Sequence, residues 1–152
     1  MKPIIINLQT ACSKKPYFPK KSQYLKWTKA ALNNVRSNIE ITIRIVTKSE
    51  IKLLNFKYRN KNKTTNILSF PSTTNKLIKS YFIGDLIICS SVIKKEAQKN
   101  FIKIESHWAH MVIHGVLHLL GYNHDNYYNT NKMQNLEIKI MSFLGYNNPY
   151  IV

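Results

Sequence analysis

The sequence predicts one α/β domain with about four strands in a mixed sheet and about five helices. Its 152 residues, 44% of them hydrophobic, match the usual size of a single domain with an ordinary core. From Ile39 to Val46, isoleucines alternate mainly with polar residues, which is typical of a strand with one buried face. Ile104–Leu120 predicts a long helix that ends at Gly121, since glycine readily adopts a left-handed turn there. We therefore expect residues 1–152 to form one domain.

The first strand and the first helix are predicted on either side of a proline-containing loop. The pattern over Ile4–Leu8 predicts the strand, and residues 10–21 are expected to form the loop. Ser22 can cap the helix that follows, which runs to Asn34. Its apolar residues recur at roughly helical spacing: Leu25, Trp27, Ala30, Ala31 and Val35.

A second helix is predicted after the isoleucine-rich strand. Thr47 can cap this helix, and Ile51, Leu54 and Tyr58 are expected on its buried side. A polar, basic loop is predicted to follow from Arg59 to Asn66. The loop therefore separates this helix from the next strand.

Two further strands are expected in the middle of the chain. Ile67–Phe70 predicts a short apolar strand that Pro71 terminates, because proline cannot donate to a sheet ladder. Residues 72–80 are polar and are expected to be mobile. Tyr81–Cys89 predicts another strand, interrupted by Gly84-Asp85.

Two helices are predicted on either side of the long one. The first is capped by Ser90 or Ser91 and runs to about Asn100. The last covers about Asn131–Leu144 and ends at Gly145.

The charge of the chain favours a polyanionic partner. The formal net charge is +16, from 23 basic and 7 acidic residues, and such an excess usually marks binding to nucleic acid or an anionic surface. Only three of the basic residues are arginines, and the chain is also rich in asparagine and isoleucine. This combination is typical of an AT-rich coding bias, so part of the charge is compositional. The charge therefore supports RNA binding without establishing it.

Two features indicate a cytoplasmic protein. The apolar run Ile4-Ile5-Ile6 is too short for the core of a signal peptide, and no apolar stretch approaches the length of a membrane span. Cys12 and Cys89 are too isolated in sequence for a CxxC clip or a disulfide framework, so we expect two reduced, partly buried thiols.

Three histidines have the spacing of a catalytic zinc site. His114 and His118 are four positions apart, so on a helix they share one face and can converge on one ion. Gly121 then ends the helix, and His124 returns from the turn as a third ligand. Three histidines leave a fourth position open for water, whereas a structural site is usually closed and includes cysteine. We therefore predict one Zn²⁺ per chain on His114, His118 and His124.

Two more histidines lie on or near the same helical face. His110 and His118 are about 12 Å apart along a helix, so one ion cannot bind both. Because Gly121 and His124 favour the later pair, His110 and His107 are interpreted as core residues. Contact with RNA and support of the ligands remain alternatives for both.

The spacing of the histidines resembles that of the metzincin peptidases. Those enzymes carry a glutamate directly after the first histidine, where it acts as the general base. This chain has Gly115 at that position, so a peptidase of that design lacks its proton acceptor. A zinc peptidase therefore remains only as an alternative function.

The run HGVLHLLGYNH, residues 114–124, resembles the signature of the YbeY family, bacterial zinc-dependent endoribonucleases. Asn123 departs from the pattern, since the family typically has aspartate before the third histidine. Other segments that resemble the family are spread over nearly the whole chain: Leu54-Asn55, Tyr58-Arg59, Thr65–Pro71, Gly84–Ile87, Glu105–His110 and Leu144–Tyr146.

The resemblance implies cleavage of single-stranded RNA, with roles in maturation of the 3′ end of 16S ribosomal RNA and in ribosome quality control. It also implies an α/β fold with zinc near a cleft, ligated by His114, His118 and His124. Ribosomal RNA is the implied partner, together with ribosomal subunit proteins. A non-catalytic ribosome-assembly factor with a structural zinc is a further alternative.

Arg59 is the candidate catalytic residue outside the histidines, and it corresponds to the functionally important arginine of the family. A guanidinium matches phosphate oxygens with two parallel hydrogen bonds. Lys57, Lys61 and Lys63 lie nearby in the sequence and suit an RNA backbone, although a solvated loop explains them equally well. No general base is assigned, since structural roles account equally for the two candidates, Asp85 and Glu105.

Overall fold

The computed structural model describes residues 3–13, 17–33, 38–72 and 81–151. Within these residues it contains a four-stranded sheet and five helices, which confirms the predicted α/β fold class. In chain order the elements are β1 (Ile4–Thr10), α1 (Lys21–Leu32), β2 (Ile39–Val46), α2 (Lys48–Arg59), β3 (Ile67–Pro71), β4 (Phe82–Cys89), α3 (Ser90–Lys99), α4 (Ile104–Leu119) and α5 (Tyr127–Phe143).

The sheet is mixed, with the strand order β1-β2-β4-β3. β1, β2 and β4 are parallel, and β3 pairs antiparallel with β4. The predicted interruption of β4 is a local irregularity: Glu40 pairs with Phe82 and Ile41 with Gly84, so Ile83 is an extra residue and the strand continues.

Helices cover both faces of the sheet. One face carries the larger core, in which the alternating isoleucines of β2 pack with side chains of α1 and α4. On the other face, Ile51 of α2 packs with Leu68 and Ile87 of the two neighbouring strands. Because Leu86–Cys89 of β4 are buried on both faces, this part of β4 is a continuous apolar run, whereas β2 alternates because its second face is only partly buried.

α4 runs through the centre of the larger core. Trp108, Val112 and Val116 are fully buried, which follows from their helical spacing of four. A Cβ atom at Gly115 would lie 2.8 Å from Ile67 Cδ1 and from Leu86 Cδ2. The absence of a side chain at Gly115 therefore lets α4 pack closely against β3 and β4.

Three predicted helix starts were wrong by a few residues, and in α1 and α5 a side chain that was not predicted makes the first hydrogen bond. α1 begins at Lys21 rather than after Ser22, and the Gln23 side chain accepts the N–H of Lys20 at 2.8 Å. α3 has no side-chain cap from either predicted serine. α5 begins at Tyr127, four residues before its predicted start, because Asn126 caps it by accepting the N–H of Asn129 at 2.8 Å. By contrast, the predicted Thr47 cap of α2 is confirmed, with its hydroxyl accepting from Glu50 at 3.2 Å.

The end of α2 differs from the prediction. Arg59 is the last residue of the helix, so the basic loop begins at Asn60, which has a left-handed φ of 58°. Tyr58 was expected to be buried but is 54% exposed. The Tyr58 ring packs on Phe70 of the edge strand β3, with the ring centres 5.3 Å apart, and about half of the side chain stays in solvent.

Some predictions fall outside the described residues. These are the mobility of residues 73–80 and the end of the first helix at residue 34.

Cys12 and Cys89 are both free thiols, and Cys89 is buried. Among the described residues, none of the helices combines the length and the hydropathy that crossing a bilayer requires.

Candidate metal centre

The three predicted ligands come together at the end of α4. His114 and His118 are one turn apart on the helix, and Gly121, at a φ of 101°, ends it. Gly121 donates to the carbonyl of His118 and Tyr122 to that of Leu117, both at 3.0 Å, so the chain reverses sharply. This reversal brings His124 back, and one ring nitrogen from each histidine lies within 4.8 Å of the other two.

The ring nitrogens of this group have the geometry of metal ligands. His114 Nε2 and His118 Nε2 are 3.1 Å apart, and two tetrahedral zinc ligands would be about 3.3 Å apart, given bonds of 2.0–2.1 Å. The Nδ1 of His118 donates to the carbonyl of Tyr122 at 3.0 Å, and that of His114 donates to Glu137. Both protons are therefore held on Nδ1, and two Nε2 lone pairs face one point. Such an arrangement repels unless a cation lies between them, so the donor set fits a metal such as zinc.

The neutral state of the His118 ring favours metal binding. Burial, together with the nearby His114 and His124, lowers the pKa of His118 to about 4. The imidazole is therefore neutral at physiological pH, which is the form that can donate a lone pair to a metal ion.

A buried carboxylate, which the sequence reasoning missed, supports the first ligand. Glu137 of α5 is completely inaccessible to solvent and accepts hydrogen bonds from His114 Nδ1 and from the Tyr150 hydroxyl. Burial raises the pKa of Glu137, but the nearby His110, together with hydrogen bonds from His114 and Tyr150, outweighs it and lowers the pKa to about 2. The signal in the sequence was an acid on the apolar face of a helix, four residues from both Met133 and Met141.

The two remaining histidines are buried beside carboxylates. His110 Nε2 lies 3.3 Å from the Tyr150 hydroxyl and 3.6 Å from Glu137, and His107 Nε2 lies 3.0 Å from Glu96. His110, His114 and Glu137 also lie close enough together to hold an ion. However, the direct hydrogen bond between His114 and Glu137 leaves no space for an ion between those two. The structure therefore places His107 and His110 in the core.

Arg59 contacts the edge strand β3. Its Nη2 donates to the carbonyl of Ser69 at 2.7 Å, and the guanidinium lies 5.1 Å from the centre of the Phe70 ring. Phe70 and Leu119 both pack around Gly84. None of the described contacts of Arg59 reaches the histidine group.

The three candidate lysines are all exposed around the end of α2. Lys57 lies in the last turn of the helix, 5.2 Å from the centre of the Tyr58 ring, rather than in a loop. The loop that carries Lys61 and Lys63 is held by buried Asn55, whose side chain donates to the carbonyl of Lys63 at 2.9 Å. The loop therefore presents its positive charges from a defined position.

Neither candidate base contacts the histidine group in any described interaction. Glu105 accepts hydrogen bonds from Gln23 at 3.1 Å and from Tyr146 at 2.8 Å, on another side of α4. Burial raises the pKa of Asp85, and a hydrogen bond with Thr42 offsets this rise only in part. Structural roles account for both carboxylates.

A comparison with protein families matches residues 8–145 to the family described as Endoribonuclease YbeY. The chain belongs to this family. An Endoribonuclease YbeY of Buchnera aphidicola subsp. Baizongia pistaciae is 57% identical over 99% of this chain and 98% of its own. An Endoribonuclease YbeY of Buchnera aphidicola subsp. Acyrthosiphon pisum is 50% identical over 100% of this chain and 98% of its own.

The fold also has a solved counterpart. A solution structure of a Thermotoga maritima protein matches with a TM-score of 0.56, covering 97% of this chain and 100% of its own at 20% identity. At this identity the likeness supports the fold alone. The family, by its name, is one of endoribonucleases, which are hydrolases that act on RNA.

Proposed function

We propose that the chain is a zinc-dependent endoribonuclease that cleaves single-stranded RNA in the cytoplasm. We further propose that it acts in 3′-end maturation of 16S ribosomal RNA and in ribosome quality control, with ribosomal RNA and ribosomal subunit proteins as partners. The observation that carries the proposal is the convergence of His114, His118 and His124, whose ligand nitrogens lie within 4.8 Å of one another, in a member of an endoribonuclease family.

The exposure of the three histidines favours a catalytic metal over a structural one. His124 is exposed, and His114 and His118 are only partly buried. A metal ion held by them would face solvent with a fourth position open, as in catalytic zinc sites. Zinc, when bound, supplies a Lewis acid that polarises a phosphoryl oxygen or lowers the pKa of a bound water.

Arg59 is the residue proposed to bind the phosphate. Its hydrogen-bond acceptor is the backbone carbonyl of Ser69, so its positive charge is not neutralised by that partner. The remaining N–H groups can bind two phosphate oxygens in parallel, which stabilises the extra negative charge of the transition state. Lys57, Lys61 and Lys63, all exposed, would contribute to binding of the RNA backbone.

The packing of α4 argues against the zinc peptidase alternative. Gly115 points toward the sheet, since its Cβ position lies 2.8 Å from side-chain atoms of Ile67 and Leu86. A glutamate introduced there would therefore collide with the core instead of reaching a metal-bound water. No residue takes its place as a general base among the contacts of the described residues.

The test compares cleavage of single-stranded RNA with that of the same sequence as a duplex. The protein is purified without a metal-affinity tag, stripped with a chelator and reloaded with zinc. We expect cleavage of the single strand only after reloading, and none by His118→Ala, which also loses zinc. Arg59→Ala is expected to keep zinc but to lose cleavage, since the arginine is proposed to bind phosphate.

Charge-matched variants test the lysines. Replacement of Lys57, Lys61 and Lys63 by alanine is compared with replacement of Lys94, Lys95 and Lys99 of α3, which removes the same charge. We expect only the first set to weaken RNA binding and to lower its salt dependence, by about 0.7 in slope for each phosphate that is no longer neutralised. Cleavage of the single strand by stripped protein or by His118→Ala, as fast as by the zinc-loaded protein, would contradict the proposed metal chemistry. Cleavage of a peptide library instead of RNA would support the peptidase.

A further inference from the structure

Both carboxylate oxygens of Glu137 accept hydrogen bonds next to the histidine group. One oxygen accepts from His114 Nδ1, and the other accepts from the hydroxyl of Tyr150. The side chain of Glu137 is 0% exposed, whereas that of His114 is 24% exposed. His114 is thus partly open to solvent, while its Nδ1 is bound to a carboxylate in the core. A buried carboxylate is stable only when such hydrogen bonds replace water, so these contacts define its position.

We propose that Glu137 and Tyr150 are positioning residues of the metal centre. The carboxylate keeps the proton of His114 on Nδ1, so that Nε2 faces the metal, and the tyrosine hydroxyl fixes the carboxylate. This inference rests on the proposed metal site and deepens it. It assigns a role in the centre to the C-terminal segment, which follows the last ligand by a whole helix.

The C-terminal segment is itself held in place. The N–H of Tyr150 donates to the Asn148 side chain at 2.8 Å, which forms a local turn. The Tyr150 ring packs edge-on against His110 at 5.3 Å. The hydroxyl also lies 3.3 Å from His110 Nε2, so Tyr150 contacts two neighbours of His114. These contacts hold the Tyr150 hydroxyl against the carboxylate of Glu137.

The two helical ligands differ in what supports them. His118 donates to the neutral backbone carbonyl of Tyr122, which arises from the local turn. His114 donates to a charged side chain from another helix. A carboxylate acceptor orients the ring and increases the electron-donating power of the imidazole more than a neutral carbonyl does. The affinity for the metal therefore depends on Glu137.

The test measures zinc affinity of the full chain by competition with a chromophoric chelator. Glu137→Gln keeps the shape of the side chain but removes its charge, and Tyr150→Phe removes only the hydroxyl. The chain offers a matched control, because Glu105 also accepts from a tyrosine, Tyr146, without contacting a ligand. Glu105→Gln and Tyr146→Phe are therefore made in parallel.

We expect Glu137→Gln to weaken zinc binding by about 10- to 100-fold, with a smaller loss in Tyr150→Phe, while the controls bind as the unmodified protein does. A second readout is the ¹⁵N spectrum of the histidine rings in the metal-free protein. His114 is expected as the Nδ1–H tautomer in the unmodified protein and as a mixture in Glu137→Gln. If Glu137 had only a structural role, Glu137→Gln would lower the stability of the protein in urea and leave the tautomer of His114 unchanged.

Unchanged zinc affinity in either variant overturns the inference, and Tyr150→Phe decides the matter if Glu137→Gln does not fold. The result is separable from the proposed function. Zinc binding that depends on Glu137 without any cleavage of RNA would contradict the endoribonuclease proposal alone. Cleavage by the unmodified protein, with equal zinc affinity in all variants, would contradict this inference alone.

Discussion

Replacement of Gly84 by alanine tests how closely β3, β4 and α4 are packed beside the metal centre. Gly84 has a φ of 147°, a backbone conformation that residues with a side chain rarely adopt. A Cβ atom there would lie 2.3 Å from the backbone oxygen of Phe70 and 2.7 Å from Leu119 Cδ2. The first of these atoms belongs to the paired strand, so the collision cannot be relieved by turning a side chain.

The expected loss has two parts. The unfavourable backbone conformation costs about 1–3 kcal/mol, and overpacking of a dense core costs about another 1–3 kcal/mol. The sum, about 2–6 kcal/mol, is a large share of a typical unfolding free energy of about 5–15 kcal/mol. Gly145→Ala is the matched control, because Gly145 also has a positive φ, of 88°, but no atom lies within 4 Å of its Cβ position. It should lose only the conformational part, about 1–2 kcal/mol.

The measurement is urea unfolding of the metal-free protein, followed by zinc titration. Gly84→Ala should unfold at lower urea than Gly145→Ala and should bind zinc more weakly, since Leu119 follows the ligand His118 directly. Equal losses in the two variants would refute the reasoning, because the two sites differ mainly in the neighbours of the added methyl group.

Three further predictions concern stability measured by urea unfolding. Thr47→Ala should lose about 1 kcal/mol, because its hydroxyl caps α2, whereas Ser91→Ala, at a helix without a side-chain cap, should stay within about 0.5 kcal/mol. Phe101→Gly should gain up to about 1 kcal/mol, because Phe101 is 97% exposed at a φ of 54°; a loss would instead reveal packing by the ring. Burial raises the pKa of Glu96, but hydrogen bonds, first that with His107, lower it below the ordinary value of 4.5. The stabilisation by Glu96 is therefore complete above pH 4.5 and is lost as the pH falls through the lowered pKa. Glu96→Gln should make the stability of the protein depend less on pH in this acidic range. An unchanged pH profile of stability would contradict this.

The elements that the sequence predicted most closely depend on local patterns. The alternation in β2 determines which side chains face the core, and the observed bounds of the strand match the predicted ones. Gly121 ends α4 because a positive φ is required at that residue. Helix starts were predicted less well, since Gln23 and Asn126 provided the hydrogen bonds that were assigned to serine or to no residue.

The position of the basic residues was predicted only in part. The sequence predicted Arg59 in a basic loop with Lys57 nearby, but both residues lie in the last turn of α2. The contact between Arg59 and the carbonyl of Ser69 depends on how the end of α2 packs beside the edge strand β3. No periodicity within either segment specifies that packing.

By itself, the sequence determined the fold class and the three-histidine group, because one helical turn and one glycine fix the relative positions of His114, His118 and His124. Only the tertiary structure decided which side chains from distant segments support His114 by hydrogen bonds. Glu137 and Tyr150 reach His114 through the packing of α5 and the C-terminal segment on α4. Local spacing follows from the backbone angles of one segment, whereas such partners depend on the burial of side chains from segments that are distant in the chain.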